Sequence, residues 1–166
     1  MDPILRQLHD ENEIRKLVVS FALGMDTRDL AMVRAPWADE IALDLPPFAG
    51  PAVPLSGTRR ADDYAGDVVA LLSEFEATQH VSTNHLVTVV DDAATCTCYT
   101  VAQHWLHVES AEPWMLAGAR YDLVAARLGD AGWRFTGFAL TPLWSLGNRA
   151  IWDEVARRLE RTRAGG

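Results

Sequence analysis

Two residues in this sequence, Asp26 and His80, carry the side chains needed to move a proton. An imidazole can take up and release a proton near neutral pH, and a carboxylate can hold it in the required tautomer. Asp26 lies at the end of a helical pattern and His80 at the head of a strand-like run. If they meet, they form a general-base pair. The structural alternative makes His80 a hydrogen-bonded packing residue and Asp26 a helix-end residue that contacts backbone amides.

The spacing of the apolar residues predicts the elements that position these two side chains. Apolar residues three and four positions apart predict an amphipathic helix over 10–25, which presents Asp26 at its end. From residue 79 the apolar period becomes strand-like, which places His80 at the start of a strand. The remaining predicted elements are a short helix to about 37, a strand over 40–45, a Pro- and Gly-rich loop over 46–57, a helix over 61–75, strands over 94–109, 116–128 and 133–144, and a closing helix over 149–159.

Helices that come first and strands that follow as a meander indicate the α+β class. We expect the helices to pack on one face of a curved antiparallel sheet. The 166 residues suit a single domain that spans 1–166, because domains commonly contain about 100 to 150 residues.

Alternation along the predicted strands assigns side chains to faces. On the strand 94–109, His104 shares a face with the small residues Cys96, Cys98, Thr100 and Ala102, which suits the concave side of a sheet. On the next strand, Arg120 and Asp122 share a face with Val124. Buried charges must be paired, so this pattern predicts that Arg120 and Asp122 line a polar pocket. A solvated or ordinary salt bridge between them is the open alternative.

Composition and charge exclude several classes of function. The chain has 15 basic and 23 acidic residues, a net charge of −8, which argues against a nucleic-acid partner and a polybasic membrane anchor. No apolar run approaches the roughly 18 residues of a spanning helix, and we expect a cytoplasmic protein. The histidines show no short-range ligand spacing, so we expect no metal site. Cys96 and Cys98 are expected to be buried free thiols.

Three segments together resemble a known family: 22–29 after the first helix, 78–80 at the head of the long strands, and 132–135 near the end of the meander. Their order and spacing resemble the SnoaL-like family of the nuclear transport factor 2-like superfamily, over roughly residues 10 to 150. The resemblance implies a cone, in which a strongly curved sheet wraps around a deep pocket and the N-terminal helices close it. It also implies a homodimer or a higher homo-oligomer.

The resemblance also implies roles for individual residues. Scytalone dehydratase and hexachlorocyclohexane dehydrochlorinase use an aspartate at the end of the first helix to orient a histidine base, and Asp26 and His80 look like these residues. His104 looks like a second pocket histidine, and Asp122 lies near the place of a polar amide. Scytalone dehydratase polarises its substrate carbonyl with two tyrosines. Met25 and Leu45 stand at those places and cannot donate a hydrogen bond. The superfamily also includes ketosteroid isomerase.

These observations predict a cofactor-independent lyase or isomerase that acts on a small, largely apolar substrate. His80 would remove a proton, and Asp26 would accept the other ring N–H and stabilise the imidazolium. His104 or Arg120 would stabilise the developing negative charge, and Asp122 would orient either one. Two alternatives stay open. The first is a polyketide-type cyclase, which needs the same base and a longer pocket, and the second is a non-catalytic small-molecule-binding protein.

Overall fold

Six strands and four α-helices make up the part of the chain that the computed structural model describes, which is residues 2–46, 56–109 and 112–164. The helices are α1 (Pro3–Thr27), α2 (Leu30–Arg34), α3 (Ala61–Ser73) and α4 (Ala150–Ala164). The strands are β1 (Trp37–Asp44), β2 (Ser56–Arg60), β3 (Ala77–Val90), β4 (Ala93–Trp105), β5 (Trp114–Arg127) and β6 (Trp133–Gly147). Most of the predicted 46–57 loop lies outside the described residues.

The long helix α1 begins earlier than its apolar pattern indicates. Asp2 caps it, because its Oδ1 accepts a hydrogen bond of 2.8 Å from the backbone N–H of Ile4, and Pro3 starts the first turn. The first two turns are exposed, and their apolar residues Ile4, Leu5 and Leu8 lie outside the core. The buried stripe begins at Ile14 and runs to Met25, as predicted. Arg28 ends the helix in the left-handed region, with φ at 56°.

The six strands form one sheet in the order β2-β1-β6-β5-β4-β3. The predicted meander β3–β4–β5–β6 is antiparallel throughout, and breaks in the register interrupt β3 between Thr83 and Leu86 and β6 at two places, where Thr136 and Leu143 are not paired with a residue of β5. Such irregularities bend strands, which is consistent with a cone-shaped fold. The α+β class is confirmed. The pairing of β1 with β6 is parallel, so the sheet is mixed and not purely antiparallel as predicted. The strand β1 follows α2 directly and lies beside β6, the last strand of the chain.

The core fills the space between the concave face of the sheet and the helices α1 and α3. The predicted concave face of β4 is buried along its length, from Cys96 to His104. Cys96 and Cys98 are buried and free, as expected. An aromatic cluster on the helix side of the core is formed by Phe21 of α1, Tyr64 of α3 and Trp37 of β1. Among the described residues, no helix is long and apolar enough to cross a membrane.

A close approach of α1 and α2 at Gly24 generates a stability prediction. A Cβ atom added at Gly24 would lie 2.8 Å from the backbone nitrogen of Val33, which cannot move aside without shifting α2. We expect Gly24→Ala to lower the free energy of unfolding by about 1–3 kcal/mol, measured by urea denaturation. The matched control is Gly66→Ala in α3, where a Cβ meets nothing within 4 Å. That change should stabilise by about 0.5–1 kcal/mol. Equal effects at both positions would contradict this account.

Candidate active site

The end of α1 and the start of β3 bring Asp26 and His80 into contact. Nδ1 of His80 lies 2.7 Å from Oδ1 of Asp26, and the backbone N–H of His80 donates a 2.8 Å hydrogen bond to Oδ2. Both side chains are largely shielded from solvent, with exposed fractions of 6% for His80 and 17% for Asp26. Because the two oxygens of one carboxylate contact one residue, the imidazole ring is held in a single orientation.

The ionised form of Asp26 is stabilised in this position. Burial alone would raise the pKa of Asp26, but the hydrogen bonds from the ring and backbone of His80 and from Thr78 outweigh it and hold the pKa below its usual range. An ionised carboxylate only accepts hydrogen bonds, so the ring proton of His80 lies on Nδ1. Nε2 makes no hydrogen bond to the described residues, and the ring lines a cavity. A basic nitrogen therefore faces the cavity.

Two residues that the sequence analysis did not single out lie behind this pair. The hydroxyl of Thr78 donates a 3.0 Å hydrogen bond to Oδ1 of Asp26, and it lies 2.8 Å from Nη1 of Arg28, which donates to it. Arg28 and Thr78 both lie in the short motifs around Asp26 and His80. The only signal in the sequence was that Arg28 and Thr78 each lie two residues from a catalytic candidate. Such proximity does not show which side chains contact Asp26.

The cavity in front of His80 has a volume of about 110 Å³. Met25 and Leu45, predicted as pocket residues, both line it. Most of the residues that line the cavity are apolar. They belong to several helices and strands and include Phe21, Val68, Leu72, Phe138, Leu140 and Trp152. None of the described lining side chains is Asp, Glu, Lys or Arg. The site therefore suits an uncharged ligand, because a buried unpaired charge would cost several kcal/mol.

His104 lies in the same cavity, as predicted, and its ring is 5.6 Å from that of His80 between centroids. It packs between Phe75 and Trp152 and is buried. Burial, assisted by the nearby His80, lowers the pKa of His104 to about 3, so the ring is neutral at physiological pH. Nδ1 of His104 has no hydrogen-bond partner among the described residues. His104 can thus act as a neutral polar group in the cavity.

Two tyrosines and a threonine of the cavity were missed by the sequence analysis. Tyr64 of α3, Tyr121 of β5 and Thr100 of β4 all line it. Burial raises the pKa of both tyrosines, so their hydroxyls stay protonated and can donate hydrogen bonds. Alternation offered a signal for Tyr121, because it lies between Arg120 and Asp122 and must point to the opposite face.

Arg120 and Asp122 do not line the cavity, and that prediction is wrong. The register pairs Asp122 with Thr97, whose hydroxyl donates a 2.8 Å hydrogen bond to it on the outer face of the sheet. Nε of Arg120 lies 2.8 Å from Oδ2 of Asp122, in a salt bridge with exposed fractions of 44% and 37%. The two residues do share a face, but it is the solvent-facing one, which is the alternative that the sequence left open.

The sequence profile of the SnoaL-like domain matches residues 6–139. The chain belongs to this family. The resemblance that the sequence motifs indicated is therefore confirmed, and the open, curved sheet and the helices that cover it are the family's architecture in this chain. No functionally curated protein matches this SnoaL-like chain in sequence.

Solved structures agree with this assignment. The Kfla4162 protein of Kribbella flavida is 27% identical, with a TM-score of 0.79 over 91% of this chain and 99% of its own. A hexachlorocyclohexane dehydrochlorinase from Novosphingobium barchaimii is 19% identical, with a TM-score of 0.71 over 87% and 93%. A provisionally assigned dehydratase of the NTF2-like family from Streptomyces avermitilis is 17% identical, with a TM-score of 0.64 over 82% and 98%. The shared feature is the fold.

The neutral state of buried His104 predicts a pH dependence of stability. Its pKa is about 3 in the folded protein and about 6.5 when unfolded, so between these values the unfolded chain binds the extra proton. The contribution of His104 is therefore complete above about pH 6.5 and is lost as the pH falls towards 3, by about 1.4 kcal/mol per pH unit.

The His104→Leu variant isolates this contribution, because leucine does not titrate. Urea denaturation across the acidic range should show that the unfolding free energy of the wild type falls more steeply with decreasing pH than that of His104→Leu. Parallel pH profiles for the two proteins would show that His104 is not held neutral by the fold.

Proposed function

We propose that this SnoaL-like protein is a lyase or isomerase in which Nε2 of His80 removes a proton from a small, uncharged substrate. One observation carries the proposal. The ring of His80 is bound through Nδ1 to a partly buried carboxylate, and its second nitrogen faces a largely apolar cavity. A general base needs this combination, because it must be free on one side and fixed on the other. The dehydrochlorinase and dehydratase among the structural neighbours support the same reaction class.

The proposed reaction uses only side chains and needs no cofactor. His80 takes the proton while the C–H electron pair moves into the substrate, and Asp26 stabilises the imidazolium that forms. In a lyase reaction a double bond forms and the leaving group departs with its bonding electrons. In an isomerase reaction His80 returns the proton to a different carbon. Both reactions begin with the same step, so the same pair serves either one.

Neutral hydrogen-bond donors are available for the negative charge that develops on the substrate. Tyr64 and Tyr121 line the cavity and have protonated hydroxyls, and Thr100 has a buried hydroxyl without a described partner. Preorganised donors in a desolvated site stabilise such charge strongly. Met25 and Leu45 stand where the resemblance expects tyrosines, so we propose that Tyr64 and Tyr121 supply these donors from different elements.

The cavity volume selects among substrates. An apolar cavity of about 150 Å³ in another protein accepts benzene, so a cavity of about 110 Å³ suits a substrate no larger than about one ring without bulky substituents. A polyketide-type cyclase begins with the same base but requires a longer cavity to hold the folded chain of its substrate. The observed volume therefore favours the lyase or isomerase over the cyclase, and simple binding without turnover becomes an outcome of the test.

The test uses two small uncharged compounds with a single ring: 3-hydroxycyclohexanone, followed by enone absorbance, and cyclohexanone in D₂O, followed by deuterium incorporation. We expect the wild type to act on at least one of them. His80→Gln should lower that rate by about 10²–10⁴-fold, because the base is lost. His107→Gln, at an exposed residue after β4, is the control and should retain the wild-type rate. An unchanged rate in His80→Gln, or no reaction with any compound, would overturn the proposal.

Removal of a cavity hydroxyl should reduce turnover more than binding. Tyr121→Phe keeps the ring and its packing but deletes the donor, so we expect kcat to fall by about 10²-fold with little change in KM. The matched control is Tyr99→Phe on the outer face of β4, where the side chain is exposed. If Tyr121→Phe and Tyr99→Phe give the same kcat as the wild type, Tyr121 has no part in charge stabilisation.

A further inference from the structure

The hydroxyl of Thr78 has a fixed direction of donation. Nη1 of Arg28 lies 2.8 Å from it, and a guanidinium can only donate, so the threonine oxygen accepts that bond. The hydroxyl has one proton of its own, which is directed at Oδ1 of Asp26 over 3.0 Å. The bonds therefore run in one sense, from Arg28 through Thr78 to Asp26.

Asp26 consequently receives three hydrogen bonds, from the hydroxyl of Thr78, the backbone of His80 and the ring of His80. The first two hold the plane of the carboxylate with respect to β3, because both donors belong to that strand. With the plane held, Oδ1 lies where only the Nδ1–H form of the ring can donate to it. The tautomer of His80 is thus determined by the donors around Asp26 and not by His80 alone.

Arg28 holds this arrangement to the rest of the fold. Its side chain donates to the backbone carbonyl of Asp26 at the end of α1, and to the carbonyls of Leu72 and Phe75 at the end of α3, over 3.2 and 3.4 Å. A cation at the C-terminal ends of two helices is favourable, because their free carbonyls carry partial negative charge. The planar fork of arginine can reach four acceptors at once, which a lysine ammonium cannot match in geometry.

The backbone of Arg28 gives a second, independent sign that this position is constrained. Its φ is 56°, in the left-handed region that non-glycine residues seldom occupy. Glycine would adopt this conformation without strain and is the usual residue at such a helix end. The arginine at this position carries a backbone cost, which the contacts of its guanidinium offset.

We propose that Arg28 and Thr78 are positioning residues, which fix the carboxylate of Asp26 and so keep the ring of His80 as the Nδ1–H tautomer with Nε2 free towards the cavity. This deepens the proposed function, and its consequence for turnover rests on that function. The tautomer itself does not depend on any reaction. A purely structural role, in which the two residues only cap helix ends, would leave the ring tautomer unaffected when the hydroxyl of Thr78 is removed.

The experiment records two-bond ¹H–¹⁵N correlations of the histidine rings in ¹⁵N-labelled protein without substrate, under alkaline conditions where the rings are uncharged. His80→Gln assigns the signals of His80. We expect a single Nδ1–H tautomer in the wild type and a mixture with the Nε2–H form in Thr78→Val, which keeps the β-branched shape but loses the hydroxyl. Thr78→Ser should restore the wild-type pattern, because it returns the donor. Thr88→Val, at an exposed position of β3, is the control and should show the wild-type tautomer.

Arg28→Lys provides a second variant that keeps the positive charge. It should also give a mixture of tautomers, because one ammonium cannot serve Thr78 and the helix carbonyls together. With a compound turned over by the wild type, Thr78→Val should lower kcat about 10- to 100-fold at nearly constant KM, as is common for residues that orient a catalytic group.

The outcomes separate this inference from the proposed function. A tautomer change in Thr78→Val, rescued in Thr78→Ser, supports the positioning role even if no compound is turned over. A single Nδ1–H tautomer that persists in both Thr78→Val and Arg28→Lys overturns it, whatever the turnover. Loss of the fold in Arg28→Lys leaves the decision to the two threonine variants, whose side chains differ from the wild type by a hydroxyl or a methyl group.

Discussion

The hydrogen bond of 2.7 Å between Nδ1 of His80 and Oδ1 of Asp26 joins the end of the first helix to the start of the third strand. It also places a polar contact at the wall of a largely apolar cavity. A carboxylate there is tolerable only when its oxygens are supplied with donors, and three donors meet this need. The same donors that make the buried charge stable also orient the ring, so stability and chemistry share one set of contacts.

The cavity shows the complementary pattern. The hydroxyl of Thr100, Nδ1 of His104 and Nε1 of Trp152 are buried at its walls without partners among the described residues. Folded proteins leave few buried polar groups unpaired, since each costs about 1–3 kcal/mol. Among the described residues only one other buried side-chain group, Nε1 of Trp37, is also unpaired, so three of the four unmet hydrogen bonds lie at the cavity. A ligand that brings acceptors or donors to these walls would recover part of that energy.

Local patterns in the sequence predicted the helices, the strand β1, the meander and the central pair, but they missed β2, whose first residues lie in the predicted 46–57 loop. Apolar residues at helical spacing predicted α1, the change of period predicted the meander, and the motifs at the two junctions indicated Asp26 and His80. The parallel pairing of β1 with β6 was not predictable, because the residues that pair lie about 95 positions apart and no local signal links them. The family resemblance supplied the pocket, which composition and periodicity do not show.

The errors at Arg120 and Asp122 have a specific physical origin. A period of two shows which residues share a face, but not which of the two faces is covered by helices. The apolar residue Val124 suggested that the face it shares with Arg120 and Asp122 is buried, but Val124 is itself half exposed on the outer face. The inward partner on the same strand, Tyr121, was missed for the same reason. Tyr64 lies on the buried face of α3, but only the path of the chain reveals that this face borders a cavity.

The left-handed backbone of Arg28 has a consequence for protein engineering. Glycine adopts the left-handed conformation without strain, so a design guided by backbone geometry alone would replace Arg28 by glycine. Yet the guanidinium that would be discarded is the group on which two helix ends and Thr78 converge. A design that optimises only the local backbone conformation would remove hydrogen bonds between distant parts of the chain. Arg28 therefore illustrates how a residue of a functional site can be unfavourable for local backbone energy.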